Sequence, residues 1–185
     1  MARTTVVPVV VDRPAVPYVG ISASVTPGTF ARAAGGFPEL FAWLAAHSLH
    51  PAGPPFFRYD VVDPERGMVV EAGVPLSEAV QWTDGGVVAG VLPAGRYAVT
   101  SHVGPPDELV QVTAGMRDWA AAEGLRFDCW DTPEGEAWGC RLELQLTDPL
   151  VEPEMSRWET QLALRLADDG PGAGAGGDLG DIGLL

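Results

Sequence analysis

The segments WLAAHSL (Trp43–Leu49) and WAAAEGL (Trp119–Leu125) decide the fold, because they resemble each other and sit in matching surroundings. Each is followed by a strand-like segment that closes with Asp-Pro, at Pro64 in the first half and Pro149 in the second. Landmarks that recur in the same order indicate an internal repeat, which must be identified before single elements are assigned. The chain therefore reads as a tandem duplication.

Each half predicts the order strand, helix, strand, strand. Tyr18 opens the strand-like YVGISASV as Tyr97 opens YAVTSHV, and the helix of the second half ends at Gly124, where a C-terminal glycine belongs. The first helix begins near Pro38, a residue suited to the first helical position. We therefore predict an α+β fold of two strand-helix-strand-strand units, with helices on one face of an antiparallel sheet and a ligand cleft on the other.

Composition limits the function. We expect one domain over residues 1–168, with repeats at about 6–80 and 86–168, and a disordered Gly/Ala-rich tail at 169–185. The net charge is −14 and the eleven basic residues are arginines spread singly, so direct nucleic-acid binding is not expected. No apolar run is long enough for a signal peptide or a membrane span, so we expect a cytoplasmic protein. His47 and His50 lack further ligands at metal-site spacing, so we predict no metal and no cofactor.

Glu143 is the main candidate for a functional residue. In RLELQLTDP, the residues Leu142, Leu144 and Leu146 alternate with polar side chains, the pattern of a strand with one buried face. If helices cover one face, these leucines lie under a helix and Glu143 lies on the open face. The alternative interpretation is that Glu143 is an ordinary surface carboxylate exposed to solvent.

The repeat suggests how a cleft forms. Counting back from the two Asp-Pro ends matches Arg58 with Glu143 and Asp60 with Gln145. Two pseudo-equivalent open faces brought together would form a cleft with carboxylates at its rim and aromatic walls, the usual form of a small-molecule site. The candidate ligand-binding residues are Glu143, Gln145, Glu71, Phe56, Arg58, Trp82, His102, Trp130 and Trp138.

The ordered segments GPPFFRYDVVD, VEAGVPL, VLPAGRYAVTSHVGPPDEL, DWAAAEGL and LELQLTDP resemble the GyrI-like small-molecule-binding domain family. Similar domains form the effector-binding part of AraC-type and MerR-type multidrug regulators. The resemblance runs from about Val6 to about Asp168. It implies a tandem repeat that binds bulky, often aromatic and cationic compounds, with one glutamate at the bottom of the pocket, at Glu143. Family members commonly have tyrosine where this sequence has Gln145.

Three functions stay open. The first is a stand-alone protein that senses or sequesters a hydrophobic or cationic small molecule. The second is an enzyme, since some GyrI-like proteins hydrolyse cyclopropane-bearing DNA-alkylating natural products, with Glu143 as the catalytic residue. The third is a protein-interaction module resembling a gyrase inhibitor, in which an acidic chain opposes a basic surface. Fold class alone does not choose among them.

Overall fold

The computed structural model describes residues 7–168, so the predicted tail at 169–185 lies outside the described residues. Within the described range, no helix is both long and apolar enough to cross a membrane. The elements are β1 (Val9–Arg13), β2 (Val16–Val25), α1 (Ala31–Ala34), α2 (Gly36–Ala46), β3 (Phe56–Asp63), β4 (Gly67–Pro75), β5 (Val88–Leu92), β6 (Gly95–Val103), α3 (Leu109–Ala122), β7 (Cys129–Thr132), β8 (Gly135–Trp138), β9 (Arg141–Gln145) and β10 (Glu159–Arg165).

The strand order confirms the tandem duplication. The main sheet runs β1-β6-β10-β9-β3-β4-β2-β5, and its neighbouring strands are antiparallel. Reading outward from the central pair, β9-β10-β6 of the second half corresponds to β3-β4-β2 of the first. The short hairpin β7–β8 joins this sheet where β8 pairs with β3. The two repeats therefore meet at β3 and β9.

The two helix ends are built alike. The backbone N–H groups of Leu49 and Leu125 each donate to a carbonyl five residues earlier, at 2.9 and 2.8 Å. This is the capping bond of a helix that ends through a left-handed residue. The residue before each leucine has that conformation, with φ 55° at Ser48 and 69° at Gly124. The similarity of WLAAHSL and WAAAEGL thus reflects a shared C-terminal cap.

Two short connections force the sheet to curl. The first strand of the path, β1, pairs with β6 but is joined by only Pro14–Ala15 to β2, which lies near the opposite edge. At the other edge β5 pairs with β2 and is joined by Pro93–Ala94 to β6. Because two residues bridge only about 10 Å, the two edges must approach one another. The result is a half-barrel with an inner face and a helix-bearing face.

Each face of the sheet buries its own core. On the helix-bearing face, α2 packs on β2 and β4, and α3 packs on β6 and β10. The inner face holds a separate cluster, which joins side chains from both edges and from the centre: Tyr18, Phe56, Leu92, Tyr97, Cys140, Leu142, Leu144 and Ala163. The central strands β3 and β9 are consequently buried on both sides.

This double burial corrects the expected orientation of Glu143. Leu142 and Leu144 belong to the inner-face core, and Leu146 is exposed beyond the end of β9. Glu143 of β9 lies opposite Leu162 of β10, and Leu162 packs under α3. Glu143 therefore lies on the helix-bearing face. Alternation identified Leu142 and Leu144 correctly as buried and was wrong for Leu146. It could not tell which of two cores the leucines enter, because the second core exists only after the sheet curls.

The predicted match of Arg58 with Glu143 is also wrong. The register pairs Phe57 with Glu143, and Arg58 pairs with Leu142 on the inner face. A β-bulge between Tyr59 and Val61 places one extra residue in β3. An alignment of the two repeats that counts back from the Asp-Pro ends is therefore wrong by one residue. A shift of one residue moves a side chain to the opposite face of the sheet.

Gly73 tests the packing of the inner face. A Cβ atom at this position would lie 2.4 Å from ring carbons of Phe56, which is fully buried. We expect Gly73→Ala to lower the free energy of unfolding by about 1–3 kcal/mol through overpacking, measured by urea denaturation. Gly115→Ala is the control, because a Cβ there meets no atom within 4 Å and the residue lies within α3. It should stabilise by about 0.5–1 kcal/mol, and equal effects of the two variants would contradict this packing.

Candidate functional site

Glu143 lies at the centre of the helix-bearing face and is only 8% exposed. The hydroxyl of Tyr59, from the neighbouring strand β3, donates a hydrogen bond of 2.9 Å to Glu143 Oε2. Both residues point to the same side because the antiparallel register pairs Phe57 with Glu143, and Tyr59 is two residues further along β3. Each repeat therefore supplies one member of this carboxylate–phenol pair.

Aromatic side chains adjoin the pair on the first-repeat side. The ring of Phe30, at the start of α1, stacks on Tyr59 with a centroid distance of 6.3 Å and meets Phe57 edge-on at 5.0 Å. Phe37 of α2 contacts the same Phe57 ring at 4.9 Å. These rings form an apolar layer next to Glu143. The carboxylate therefore has aromatic surroundings of low polarity.

Arg141 adjoins the pair on the second-repeat side. Its guanidinium carbon lies 4.8 Å from the ring centroid of Tyr59 and 5.3 Å from that of Trp138. Trp138 is buried and also receives the guanidinium of Arg117 at 5.0 Å. The site thus combines one buried carboxylate, a phenol, an arginine and several aromatic rings.

Burial determines the electrostatics of this pair. It raises the pKa of Glu143, and the positive charge of Arg141 and the hydrogen bond from Tyr59 oppose the change only in part. The pKa of Tyr59 is raised well above its ordinary value by burial and by the charge of Glu143. The phenol is therefore the hydrogen-bond donor, and the carboxyl group is suited to exchange a proton nearer neutral pH than an ordinary glutamate.

Three of the predicted site residues lie on the other face of the sheet. Glu71 is buried there, Arg58 donates a hydrogen bond of 2.8 Å to the hydroxyl of Tyr18, and Phe56 packs against the same tyrosine. Burial raises the pKa of Glu71, and the hydrogen bond that the Tyr18 hydroxyl donates to it opposes this. The sheet therefore separates these three residues from Glu143.

The remaining predicted residues are scattered. Gln145 shares the face of Glu143, and its side-chain nitrogen donates to the Glu143 carbonyl at 3.2 Å. His102 lies two strands further on the same face and contacts Glu108 at 2.9 Å. Trp82 and Trp130 are 63% and 53% exposed. Of the predicted tryptophans, only Trp138 approaches the Glu143 site.

The site is closed rather than an open cleft. Two surface clefts of about 420 and 440 Å³ are lined by other residues, and Glu143 contributes to neither. Across residues 7–168, no group of three or more His, Cys, Asp or Glu side chains could hold a metal ion. The polar groups of the site are the carboxyl of Glu143, the phenol of Tyr59 and the guanidinium of Arg141.

The sequence reasoning missed four contributors: Phe30, Phe57, Tyr59 and Arg141. A signal for Arg141 was available, since a residue two positions before Glu143 in a strand shares its face. Tyr59 could not be placed beside Glu143 without the register between β3 and β9. Phe30 was hidden because the turn before α1 follows no periodic pattern.

Comparisons with known proteins agree with this architecture. Residues 7–134 match the family model described as a GyrI-like small molecule binding domain, and Glu143 lies beyond the matched residues. A cryo-EM structure of EcmrR with DNA has a TM-score of 0.71 at 15% identity over 86% of this chain, which spans 56% of the EcmrR chain. No curated protein matches the sequence.

Two further solved structures share the fold. One is described as a hydrolase from Listeria innocua, with a TM-score of 0.61 and 16% identity, over 87% of this chain and 92% of that one. The other is SAV2435 bound to tetraphenylphosphonium, with a TM-score of 0.54 and 10% identity, over 86% and 93%. At these identities the likeness concerns the fold alone.

The raised pKa of Glu143 predicts how stability depends on pH. In the folded protein this carboxyl group keeps its proton at a pH where the unfolded chain, with a pKa near 4.5, has lost it. Its contribution to stability is therefore complete below the unfolded pKa and is lost as pH rises through the folded pKa. Glu143→Gln removes this titration. We expect the unfolding free energy of the variant, relative to wild type, to increase as pH rises from about 4 to 7.

Urea denaturation at several pH values measures this difference. A difference between the two proteins that stays constant over the range would show that Glu143 titrates alike in the folded and unfolded chains. A relative stability that decreases with pH would mean that its folded pKa is lowered.

Proposed function

Because the chain belongs to the GyrI-like small-molecule binding domain family, we propose that it senses or sequesters a bulky, aromatic or cationic drug-like compound at Glu143. The observation that carries this proposal is a buried carboxylate enclosed by aromatic side chains and hydrogen-bonded to Tyr59. A carboxyl group that is buried with no ion pair among residues 7–168 is costly for folding, so its presence favours a functional role.

The aromatic surroundings support the proposed ligand class. Rings such as Phe57 and Tyr59 offer apolar surface to a bulky compound, and a cation beside them gains roughly 0.5–2 kcal/mol from each suitable ring. The carboxylate adds direct charge attraction. SAV2435, which shares the fold, was solved with the aromatic cation tetraphenylphosphonium.

Ligand entry requires the aromatic layer to move. Glu143 is only 8% exposed, and Phe30 stacks on its partner Tyr59. Phe30 lies between the turn that begins at Thr26 and the four-residue helix α1, and its ring contacts Phe57 and Tyr59. Displacing this ring would open the site while the central strands stay paired.

Hydrolysis is the second candidate, and the Tyr59–Glu143 hydrogen bond favours it. A carboxyl group with a raised pKa can act as a general base toward water, and a neighbouring phenol can donate a hydrogen bond to developing charge. Gln145 replaces the tyrosine common in the family, but Tyr59 of the first repeat supplies a phenol. Its hydroxyl oxygen lies 2.9 Å from Glu143 Oε2. The Listeria protein of the same fold is described as a hydrolase.

Glu143→Gln separates the two candidates. For a binding protein, loss of the charge should weaken cationic ligands by about 1.5–3 kcal/mol, roughly ten- to hundredfold, and leave neutral ligands nearly unchanged. For a hydrolase, loss of the base should lower the rate about 100- to 10,000-fold, with little change in substrate affinity. Tryptophan fluorescence follows binding, and product mass follows addition of water to a cyclopropane-bearing alkylator.

Glu71→Gln is the matched control, because it neutralises a second buried carboxylate on the opposite face of the same sheet. This variant should bind the panel as wild type does. Equal losses in both variants would indicate a general effect on stability. Turnover by wild type that disappears in Glu143→Gln would replace the binding function with the enzymatic one.

A further inference from the structure

Arg141 occupies the ring faces that a cationic ligand would be expected to use. It precedes Glu143 by two residues in β9 and lies on the same face of the strand. Its guanidinium group is 4.8 Å from the Tyr59 centroid and 5.3 Å from the Trp138 centroid, within the range of cation–π attraction. The site therefore already contains a cation of its own.

The charge of Arg141 is not cancelled by a salt bridge. Among residues 7–168 it forms no ion pair, whereas Arg117, which contacts the same Trp138 ring, is paired with Glu136. Arg141 does act electrostatically on the Glu143 carboxylate, and burial favours the neutral form of that carboxyl group. With Glu143 neutral, the net charge of the site is positive, and with Glu143 ionised it is about zero.

We propose that Arg141 is a specificity-determining residue that makes the Glu143 site prefer bulky aromatic anions over cations of the same shape. This inference rests on the proposed function, because both place the ligand at Glu143, and it replaces the preference for cations argued there with a preference for aromatic anions. An entering cation is repelled by the guanidinium and must displace it from the Tyr59 ring. An anion instead gains a charge-assisted contact, and its aromatic groups can stack on the planar guanidinium.

Glu143 and Arg141 have opposite effects on charge selection. The carboxylate favours the binding of cations, so neutralising it lowers the affinity for them. The guanidinium favours the binding of anions. The balance depends on burial: the carboxyl group is almost completely enclosed and tends to lose its charge, while an arginine stays protonated at every accessible pH. The guanidinium is therefore the charge that persists.

Tetraphenylborate and tetraphenylphosphonium are suitable probes, since they share four phenyl groups and a tetrahedral centre but carry opposite charges. We expect the wild-type chain to bind tetraphenylborate at least about tenfold more tightly than tetraphenylphosphonium. Tryptophan fluorescence and calorimetry at physiological ionic strength measure both affinities. The net charge of −14 attracts cations over long range, so non-specific attraction would give the opposite order.

Three variants assign the preference to one residue. Arg141→Met keeps an apolar stem over Tyr59 and should reduce the borate-to-phosphonium affinity ratio about tenfold or more. Arg141→Lys restores the charge and should keep the borate preferred. Arg117→Met is the matched control: it removes a guanidinium from the same Trp138 ring but not one that acts on Glu143, so the ratio should change less than about twofold.

The outcomes distinguish this inference from the function on which it rests. Tighter binding of tetraphenylphosphonium to wild type, with a loss in Glu143→Gln, would overturn the role of Arg141 and leave the binding function standing. An unchanged ratio in Arg141→Met would also overturn it. If neither probe binds, or if Glu143→Gln alters neither affinity, the proposed site itself fails. The wild-type comparison decides the charge preference even if Arg141→Met does not fold.

Discussion

The two-residue connections Pro14–Ala15 and Pro93–Ala94 determine the curvature of the sheet and, through it, the positions of both cores. Each joins an edge strand to a strand near the opposite edge, so the sheet cannot be flat. Once it curls, its inner face closes around its own apolar cluster while the helices cover the outer one. The central strands then have no solvated face, and any polar residue on them must find its partners inside the protein.

The two buried carboxylates each interact with a tyrosine. Glu143 accepts a hydrogen bond from Tyr59 on the helix-bearing face, and Glu71 interacts with Tyr18 on the inner face. Glu71 lies directly on Gly20, where any Cβ would come within 2.8 Å of its side chain. This close packing against the backbone of β2 favours a structural role for Glu71. Glu143 adjoins an aromatic layer instead.

The charges around Glu143 connect its structure with its proposed function. Burial makes the carboxylate a strong attractant for a cation when ionised, but it also promotes the neutral form. Arg141 keeps its charge and covers the aromatic rings that would otherwise receive a cation. The same arrangement suits catalysis, because a carboxyl group whose pKa is raised by burial can act as a general base beside a phenol. The two proposed functions, binding and hydrolysis, therefore use the same pair of residues.

The sequence alone predicted the duplication, the main helix of each half and the cap at Gly124, because periodicity and turn chemistry are local properties. It did not determine the face of Glu143, since alternation defines two faces and says nothing of which one the helices cover. The bulge at Tyr59–Val61 and the resulting Phe57–Glu143 register arise from strand pairing between residues far apart in the chain. The separation of Glu71 from Glu143, and the exposure of Trp82, were likewise decided only by the tertiary structure, because curling of the sheet fixes which side chains share a core.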